Sequence, residues 1–158
     1  MTTGDDRSGP NISLLVCGAG DKTFAVPLTS VWETLRPLPA SPFPGMPPFV
    51  LGVARIRGSA VPVVDSGVLT GGPPVAATRW ITLHTDDHRS VALAVETITG
   101  IRTVDEKELE ELPPLLEGKG PRLFSALIAR DSHLLLALAA SHLLPAETWQ
   151  RLTEVTPS

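Results

Sequence analysis

Residues 52–65 read Gly52-Val-Ala-Arg-Ile-Arg-Gly-Ser-Ala-Val-Pro-Val-Val-Asp65, which is two apolar segments separated by a Gly-Ser pair. A two-residue Gly-Ser connection is typical of a hairpin with a primed turn, because glycine accepts the positive φ that such a turn requires. The stretch therefore predicts a β-hairpin over Phe49–Arg57 and Ala60–Asp65. Arg57, at the tip, is the most conspicuous candidate functional residue, because it stands in an apolar setting.

The composition indicates a folded domain built from many short strands. The chain has 158 residues, 42% hydrophobic and 19% charged, and its 16 prolines and 13 glycines favour turns over long helices. Only 4% of the residues are aromatic, so the core has to consist mainly of aliphatic side chains. We predict a disordered tail at 1–11, followed by one mainly all-β domain at 12–158.

Several classes of protein are disfavoured by the same numbers. The net charge is −4 and no cluster of Lys or Arg follows a phosphate backbone, so we expect no nucleic-acid partner. Cys17 is the only cysteine, which excludes an intrachain disulfide and argues against a cysteine-based zinc site. No apolar run approaches the roughly 20 residues that span a bilayer. We expect a cytoplasmic protein without membrane insertion, metal or cofactor.

Apolar runs bounded by turn residues predict the remaining strands. They are Ile12–Cys17, Thr23–Leu28, Arg79–Thr85, Ser90–Glu96, Thr97–Val104 with a bulge or kink at Gly100, Leu123–Ala129 and His133–Leu138. The order hairpin, apolar connector, hairpin occurs twice, which suggests two small barrels in approximate subdomains 12–78 and 79–144.

Short helices are expected between the strands. They are Thr29–Leu35, Ser66–Leu69, Asp105–Leu112 and a terminal helix Pro145–Val155 within 145–158. In the first of them, Ser30 and Glu33 have the spacing of a capping box. Six prolines make Arg36–Pro48 a loop or an extended connector. The segment Thr70–Thr78 is expected to be a loop between the subdomains.

One motif resembles a catalytic site. Val63-Val-Asp-Ser-Gly67 matches the signature of aspartic proteases, which need two aspartates that share a proton. The chain holds one copy, so only a homodimer using Asp65 could work, and Asp-Ser-Gly is also ordinary turn chemistry. The histidines His84, His88, His133 and His142 form no helical metal-binding pair and are expected in or near turns. Cys17 is expected to be a buried apolar residue rather than a nucleophile.

A pair of opposite charges is the remaining candidate. Glu33 and Arg57 form an ion pair if the predicted helix and the hairpin pack together. The competing interpretation makes Glu33 a capping-box acid and Arg57 a solvated charge on the hairpin. Spacing alone leaves both interpretations open.

In order and spacing, residues 23–65 resemble the CheW-like chemotaxis coupling family. The motifs that carry the resemblance are Phe24-Ala-Val-Pro-Leu28, Val31-Trp-Glu-Thr-Leu35, Phe49-Val-Leu-Gly-Val53, Ile56-Arg-Gly58 and Val61-Pro-Val-Val-Asp65. Weaker similarity continues through Ala92–Glu96 and Leu134–Leu138 to Leu144. The resemblance implies two SH3-like five-stranded β-barrels that can exchange segments, with short helices and no catalytic activity.

The resemblance also implies partners. It predicts an adaptor between the tips of chemoreceptors, which are helical hairpins, and the regulatory domain of a CheA-type histidine kinase. Glu33 and Arg57 match the family's paired Glu and Arg, and a groove lined by Val31, Val53 and Val95 would receive a receptor helix. The expected partner-binding residues are Val31, Glu33, Gly52, Val53, Arg57, Gly58 and Val95.

The second half departs from the family pattern. Ser66 stands where the family commonly has Leu, the late aspartate is replaced in Leu138-Ala139, and Val95-Glu96 replaces a Val-Asp pair. Kinase contacts are expected in the second barrel, so a coupling-like fold that keeps one interface and acts as a decoy or regulator is a further hypothesis. A pathway for surface motility is as compatible with the sequence as flagellar chemotaxis.

Overall fold

The structure is a computed structural model that describes residues 11–85, 88–105, 109–110, 124–130, 133–138, 144 and 147–150. From 109 to 138 it describes the strand backbone only. Its strands are β1 Asn11–Ala19, β2 Lys22–Pro27, β3 Val31–Leu35, β4 Val50–Ile56, β5 Ser59–Asp65, β6 Arg79–His84, β7 Ser90–Val95, β8 Thr97–Asp105, β9 Leu109–Glu110, β10 Phe124–Arg130 and β11 His133–Leu138. The predicted all-β class is confirmed.

The helical elements are short. A 3-10 turn, Leu28–Ser30, precedes β3, helix α1, Ser66–Leu69, follows β5, and helix α2 occupies 147–150. Helix α2 lies inside the predicted terminal helix, whose remaining residues are outside the described part of the chain. No helix in the described residues is long and apolar enough to cross a membrane.

The strands form two sheets whose members come from both halves of the chain. The six-stranded sheet has the order β8-β1-β2-β11-β10-β9, and the five-stranded sheet has the order β3-β6-β7-β5-β4. Neighbours are antiparallel except at β2–β11 and β5–β7, which are parallel. Each sheet thus joins a hairpin from one half to a hairpin from the other. The division into subdomains 12–78 and 79–144 stays a prediction. In the observed strand pairing, each sheet contains strands from both of these segments.

The expected five-stranded barrels are not closed. Among the described residues, no strand pairing connects β3 to β4 or β8 to β9, so each sheet keeps two edges. One sheet also has six strands rather than five. The difference arises because β9 adds a short strand beside β10, where a helix over Asp105–Leu112 was expected. That expectation is wrong for Asp105, which ends β8, and for Leu109 and Glu110.

The main core lies between the two sheets. It contains Phe24 and Val26 of β2 and the side chains of β1, β5, β6 and β7 that point the same way: Leu15, Cys17, Ala19, Val64, Ile81, Leu83, Val91, Leu93 and Val95. The intervening residues of the five-stranded sheet form a second cluster around Trp80 and Ile56. Strands β6 and β7 are therefore buried on both faces, which explains their nearly continuous apolar sequence. Leu144 and Trp149 pack against the main core, so α2 covers it.

The predicted helix at Thr29–Leu35 is wrong. Residues 31–35 form β3, which pairs antiparallel with β6, and Ser30 makes no side-chain cap. Branched and aromatic side chains at Val31, Trp32 and Thr34 lose rotamer freedom in a helix and fit a strand better. The capping-box spacing of Ser30 and Glu33 was therefore misleading.

The β4–β5 hairpin is confirmed, but its turn lies one residue earlier than predicted. Ile56 pairs with Ser59, and the two turn residues are Arg57 at φ 51° and Gly58 at φ 82°. Two successive positive φ values are the signature of a type I′ turn. Arg57 therefore belongs to the turn itself, rather than to the end of β4. Asn11, expected in the tail, is likewise the first residue of β1.

Gly52 allows the proline-rich connector to cross β4. Ser41 and Val53 exchange two backbone hydrogen bonds of 2.9 Å, which cover this edge of the sheet. At Gly52, with φ 153°, a Cβ would lie 2.3 Å from the carbonyl oxygen of Ser41. A side chain at this position would push the connector away from the sheet.

We therefore predict that Gly52→Ala lowers the free energy of unfolding by more than about 2 kcal/mol, measured by urea denaturation. Gly100→Ala is the matched control. Gly100 has a similar φ of 146°, but a Cβ there meets nothing within 4 Å. It should cost about 1 kcal/mol, and an equal loss in both variants would show that backbone strain alone explains the effect.

Candidate partner-binding site

Glu33 and Arg57 form a bidentate ion pair. The guanidinium donates from Nε to Oε2 at 2.6 Å and from Nη2 to Oε1 at 2.8 Å. Parallel donors of this kind fix direction as well as charge, because the planar guanidinium matches the planar carboxylate. The pairing predicted for these residues is confirmed, although Glu33 reaches it from a strand and not from a helix.

The position of the pair follows from sheet order. Glu33 lies on β3, one edge of the five-stranded sheet, and Arg57 lies in the turn that follows β4, the opposite edge. The sheet therefore curls until its two edges approach, and a side-chain ion pair spans the gap. No backbone pairing links these edges in the described strands.

A β-bulge fixes the backbone of Glu33. Val31 pairs with Leu83 and Glu33 with Thr82, so Trp32 is an extra residue on β3. The Thr82 hydroxyl fills the interrupted ladder, since it accepts from the Glu33 N–H at 3.1 Å and donates to the Glu33 carbonyl at 3.1 Å. The local conformation is thereby held by a side chain from the neighbouring strand.

The ion pair remains accessible to solvent. The side chain of Arg57 is 68% exposed and that of Glu33 is 25% exposed. The hydrogen bond from Arg57 holds the pKa of Glu33 below its ordinary value, and the same bond raises the pKa of Arg57. Exposed pairs contribute little to stability, so the pair is not a main support of the fold.

The lowered pKa gives a direct test of the pair in solution. Carbon-detected NMR should find the pKa of Glu33 below the ordinary glutamate value, and Arg57→Gln should raise it toward that value. Because the folded-state pKa is lowered, the contribution of the pair is present above the unfolded pKa and is lost as pH falls through the folded one. A pKa for Glu33 that does not change in Arg57→Gln would contradict the geometry.

The other predicted site residues differ from one another in how far they are exposed to solvent. Val31 and Val53 are half-buried, and Gly58 is exposed at the turn. Val53 lines a pocket of about 440 Å³ beside connector residues 41–44. Gly52 is buried beneath the connector, so it shapes this edge rather than offering a contact surface.

Val95 requires a correction. It was expected to line a groove, but it is 0% exposed and belongs to the core between the sheets. It ends β7, whose residues are buried on both faces, so no partner reaches its side chain. The candidate surface therefore involves β3, the β4 edge and the β4–β5 turn, without Val95.

Asp65 is a structural residue. It is 1% exposed, and its carboxylate accepts the N–H groups of Gly67, Val68 and Val75 at 2.8–3.2 Å. These bonds cap α1 and hold the following loop. The carboxylate is therefore enclosed and used, which is the opposite of an open catalytic dyad, and nothing supports the protease alternative. The neighbouring Ser66 hydroxyl is buried and makes no hydrogen bond.

We predict that Asp65→Asn destabilises the protein by about 1–3 kcal/mol, measured by urea denaturation. The amide nitrogen that replaces one oxygen would face the Val75 N–H or, in the flipped amide, the N–H groups of Gly67 and Val68, and would leave donors without an acceptor. Asp21→Asn, in the exposed turn between β1 and β2, is the control and should change stability by less than about 0.5 kcal/mol. Equal stability of the two variants would show that the three bonds contribute nothing.

The remaining candidates have ordinary surroundings where they are described. Burial raises the pKa of the Cys17 thiol to about 12, which confirms an inert buried residue. His88 adopts a left-handed φ of 63° in the β6–β7 turn, and His133 begins β11. His142 lies outside the described residues. Within the described part of the chain, no three His, Cys, Asp or Glu residues are grouped to hold a metal ion.

One exposed feature was not recognised from the sequence. Trp32 is 57% exposed, and its ring stacks on that of His84 at 4.5 Å between centroids and 28° between planes. The available signal was a tryptophan flanked by Val31 and Glu33. On the expected helix, this tryptophan would not have marked the edge of a sheet.

Comparison with known proteins places the fold. The sequence pattern of the CheW-like domain family matches residues 13–148, which is most of the chain. The chain belongs to the CheW-like domain family. The match extends well beyond residues 23–65, so it includes the second half in which the resemblance was weak.

Individual relatives agree with this membership. The chain is 26% identical over 136 residues to the chemotaxis protein CheW of Rhizobium meliloti, covering 85% of this chain and 88% of that protein. It is 35% identical over 133 residues to the chemotaxis protein CheA of Cereibacter sphaeroides, covering 79% of this chain and 18% of that protein.

A solved structure has the same fold as this CheW-like chain. The scaffolding protein TtCheW from Thermoanaerobacter tengcongensis superposes with a TM-score of 0.76 and 17% identity, covering 88% of this chain and 96% of that chain. At this identity the similarity concerns the fold. The two chains thus share a fold although few of their residues are identical.

Proposed function

We propose that this CheW-like protein is a non-enzymatic adaptor that couples chemoreceptors to a CheA-type histidine kinase in a cytoplasmic chemosensory pathway. Its family supports this proposal, as does its 35% identity to a segment of a CheA protein. The observation that carries it in the structure is the Glu33–Arg57 pair, which is bidentate, accessible to solvent and located where two sheet edges meet.

The chemistry of the described residues fits docking. The carboxylate of Asp65 accepts hydrogen bonds from three backbone N–H groups, and Cys17 is enclosed in the core. Arg57, in contrast, presents a charge outward on a turn whose backbone is fixed by a type I′ conformation. A positioned charge beside half-buried apolar residues gives specificity in protein association.

The proposed receptor-binding surface consists of β3, the edge of β4 and the turn between β4 and β5. Its residues are Val31, Glu33, Val53, Arg57 and Gly58, with Gly52 shaping the edge from beneath. An amphipathic helix from a receptor tip would lay apolar side chains against the two valines. The ion pair would hold the two edges at a constant separation and exclude helices with mismatched charges.

The test uses the full chain, a soluble receptor signalling fragment and the kinase, all from the same organism, in co-sedimentation and titration assays. Arg57→Glu should weaken receptor binding by about tenfold or more, since it removes the pair and places two carboxylates together. Arg102→Glu, an exposed charge reversal on β8, is the matched control and should leave receptor binding unchanged.

The double variant Glu33→Arg/Arg57→Glu distinguishes a role of the pair in fixing the two sheet edges from a direct charge contact with the receptor. Partial recovery would indicate that the pair mainly fixes the edges, whereas no recovery would indicate direct charge contact. Binding of both partners by Arg57→Glu at wild-type strength would overturn the assignment of the surface. Receptor binding without kinase binding in the wild-type chain would favour a decoy or regulator that keeps one interface.

A further inference from the structure

Trp32 is an unusual residue to leave in solvent. Its side chain is 57% exposed on β3, whereas Trp80 on the neighbouring strand is 3% exposed. Tryptophan buries a large apolar area when it finds a contact, so an exposed one at a fixed position is typical of binding surfaces. The β4 edge adds exposed Leu51, so apolar surface is present at both edges of this sheet.

The backbone aims Trp32 outward. It is the extra residue of the β3 bulge, and bulges redirect the side chain that they insert. The bulge is held by the two hydrogen bonds between Thr82 and the Glu33 backbone. The outward direction of the indole is therefore a property of the strand pairing and not of a free side chain.

His84 holds the indole in one orientation. The two rings stack at 4.5 Å, and His84 is half-buried at the end of β6. His84 and Thr82 are two residues apart on one strand, so they point to the same face of the sheet. The aromatic pair thus lies on the face that carries Thr82, next to the residue that pairs with Arg57.

Arg57 contributes a second recognition element beside this aromatic pair. Its guanidinium has five N–H groups, and the bonds to Glu33 use two of them. With 68% of the side chain exposed, the remaining donors face solvent in a direction that Glu33 fixes. A carboxylate can bind there without breaking the existing pair.

We propose that Trp32, oriented by His84, is a specificity-determining anchor for the receptor segment. Its occupant is a receptor helix that places an apolar side chain on the indole and a carboxylate on the free edge of Arg57. The assignment rests on the proposed function and extends the same surface, because Trp32 adjoins Glu33, which pairs with Thr82 on the face that carries His84. Since the Trp32 ring is already held against His84, binding loses little side-chain entropy at Trp32.

The experiment measures affinity of the full chain for the soluble receptor signalling fragment and, separately, for the kinase. Trp32→Gln should weaken receptor binding at least about tenfold and leave kinase binding unchanged. Trp32→Phe should recover most of the affinity, and His84→Gln should lose several-fold, because the indole is kept but is no longer held. Ile101→Gln, 61% exposed on β8 of the other sheet, is the matched control and should have no effect.

Each outcome decides the assignment. Wild-type receptor affinity in Trp32→Gln, with Arg57→Glu still defective, would overturn the anchor and leave the proposed function intact. A loss of kinase binding alone would overturn the choice of occupant, as would a shift from dimer to monomer in sedimentation, which would identify a second copy. If the wild-type chain binds neither partner, the proposed function itself fails and the anchor with it.

Discussion

Two parallel strand pairs hold this fold together. In each sheet the parallel pair, β2–β11 or β5–β7, is the contact at which a hairpin from one half of the chain meets a hairpin from the other. The connecting strands β3 and β8 likewise pair across the halves. Neither half can therefore complete a sheet from its own strands, and the core between the sheets forms only when both are present. Pairings so distant in sequence are costly in loop entropy, which slows folding.

The candidate site is a consequence of the same exchange. Strand β3 leaves β2 through one 3-10 turn and immediately joins the other sheet, where it becomes an edge. The opposite edge ends in the Arg57 turn, so curling brings Glu33 and Arg57 together without a backbone ladder. The connector covers the β4 edge at Val53, but in the described residues only side chains span the gap between Glu33 and Arg57, so this end of the two edges stays accessible. The bulge at Trp32 likewise lies on an edge strand, which pairs with a neighbouring strand on one side only.

Hairpins were predictable because their signals are local. Apolar runs bounded by turn residues located the β1–β2, β4–β5, β6–β7 and β10–β11 pairs within a residue or two. The conformation of β3 was not predictable in this way, since Ser30 and Glu33 imitate a helix cap and the stabilising partner, Thr82, is 49 residues from Glu33. Spacing alone left it undecided whether Glu33 and Arg57 pair, and the family resemblance favoured the pair. Val95 was misplaced because burial on both faces depends on sheet packing, which local pattern does not contain.

The exchange of hairpins between the two halves gives the hydrogen bonds of Asp65 a second consequence. A chain whose halves trade hairpins resembles a swapped dimer in which the two copies have been joined. The joint is the segment from α1 to β6, and Asp65 pins it by accepting the Val75 N–H. A short, fastened joint gives each half a high effective concentration for the other. The buried carboxylate thereby favours strand pairing within one molecule over exchange of strands with a neighbouring one.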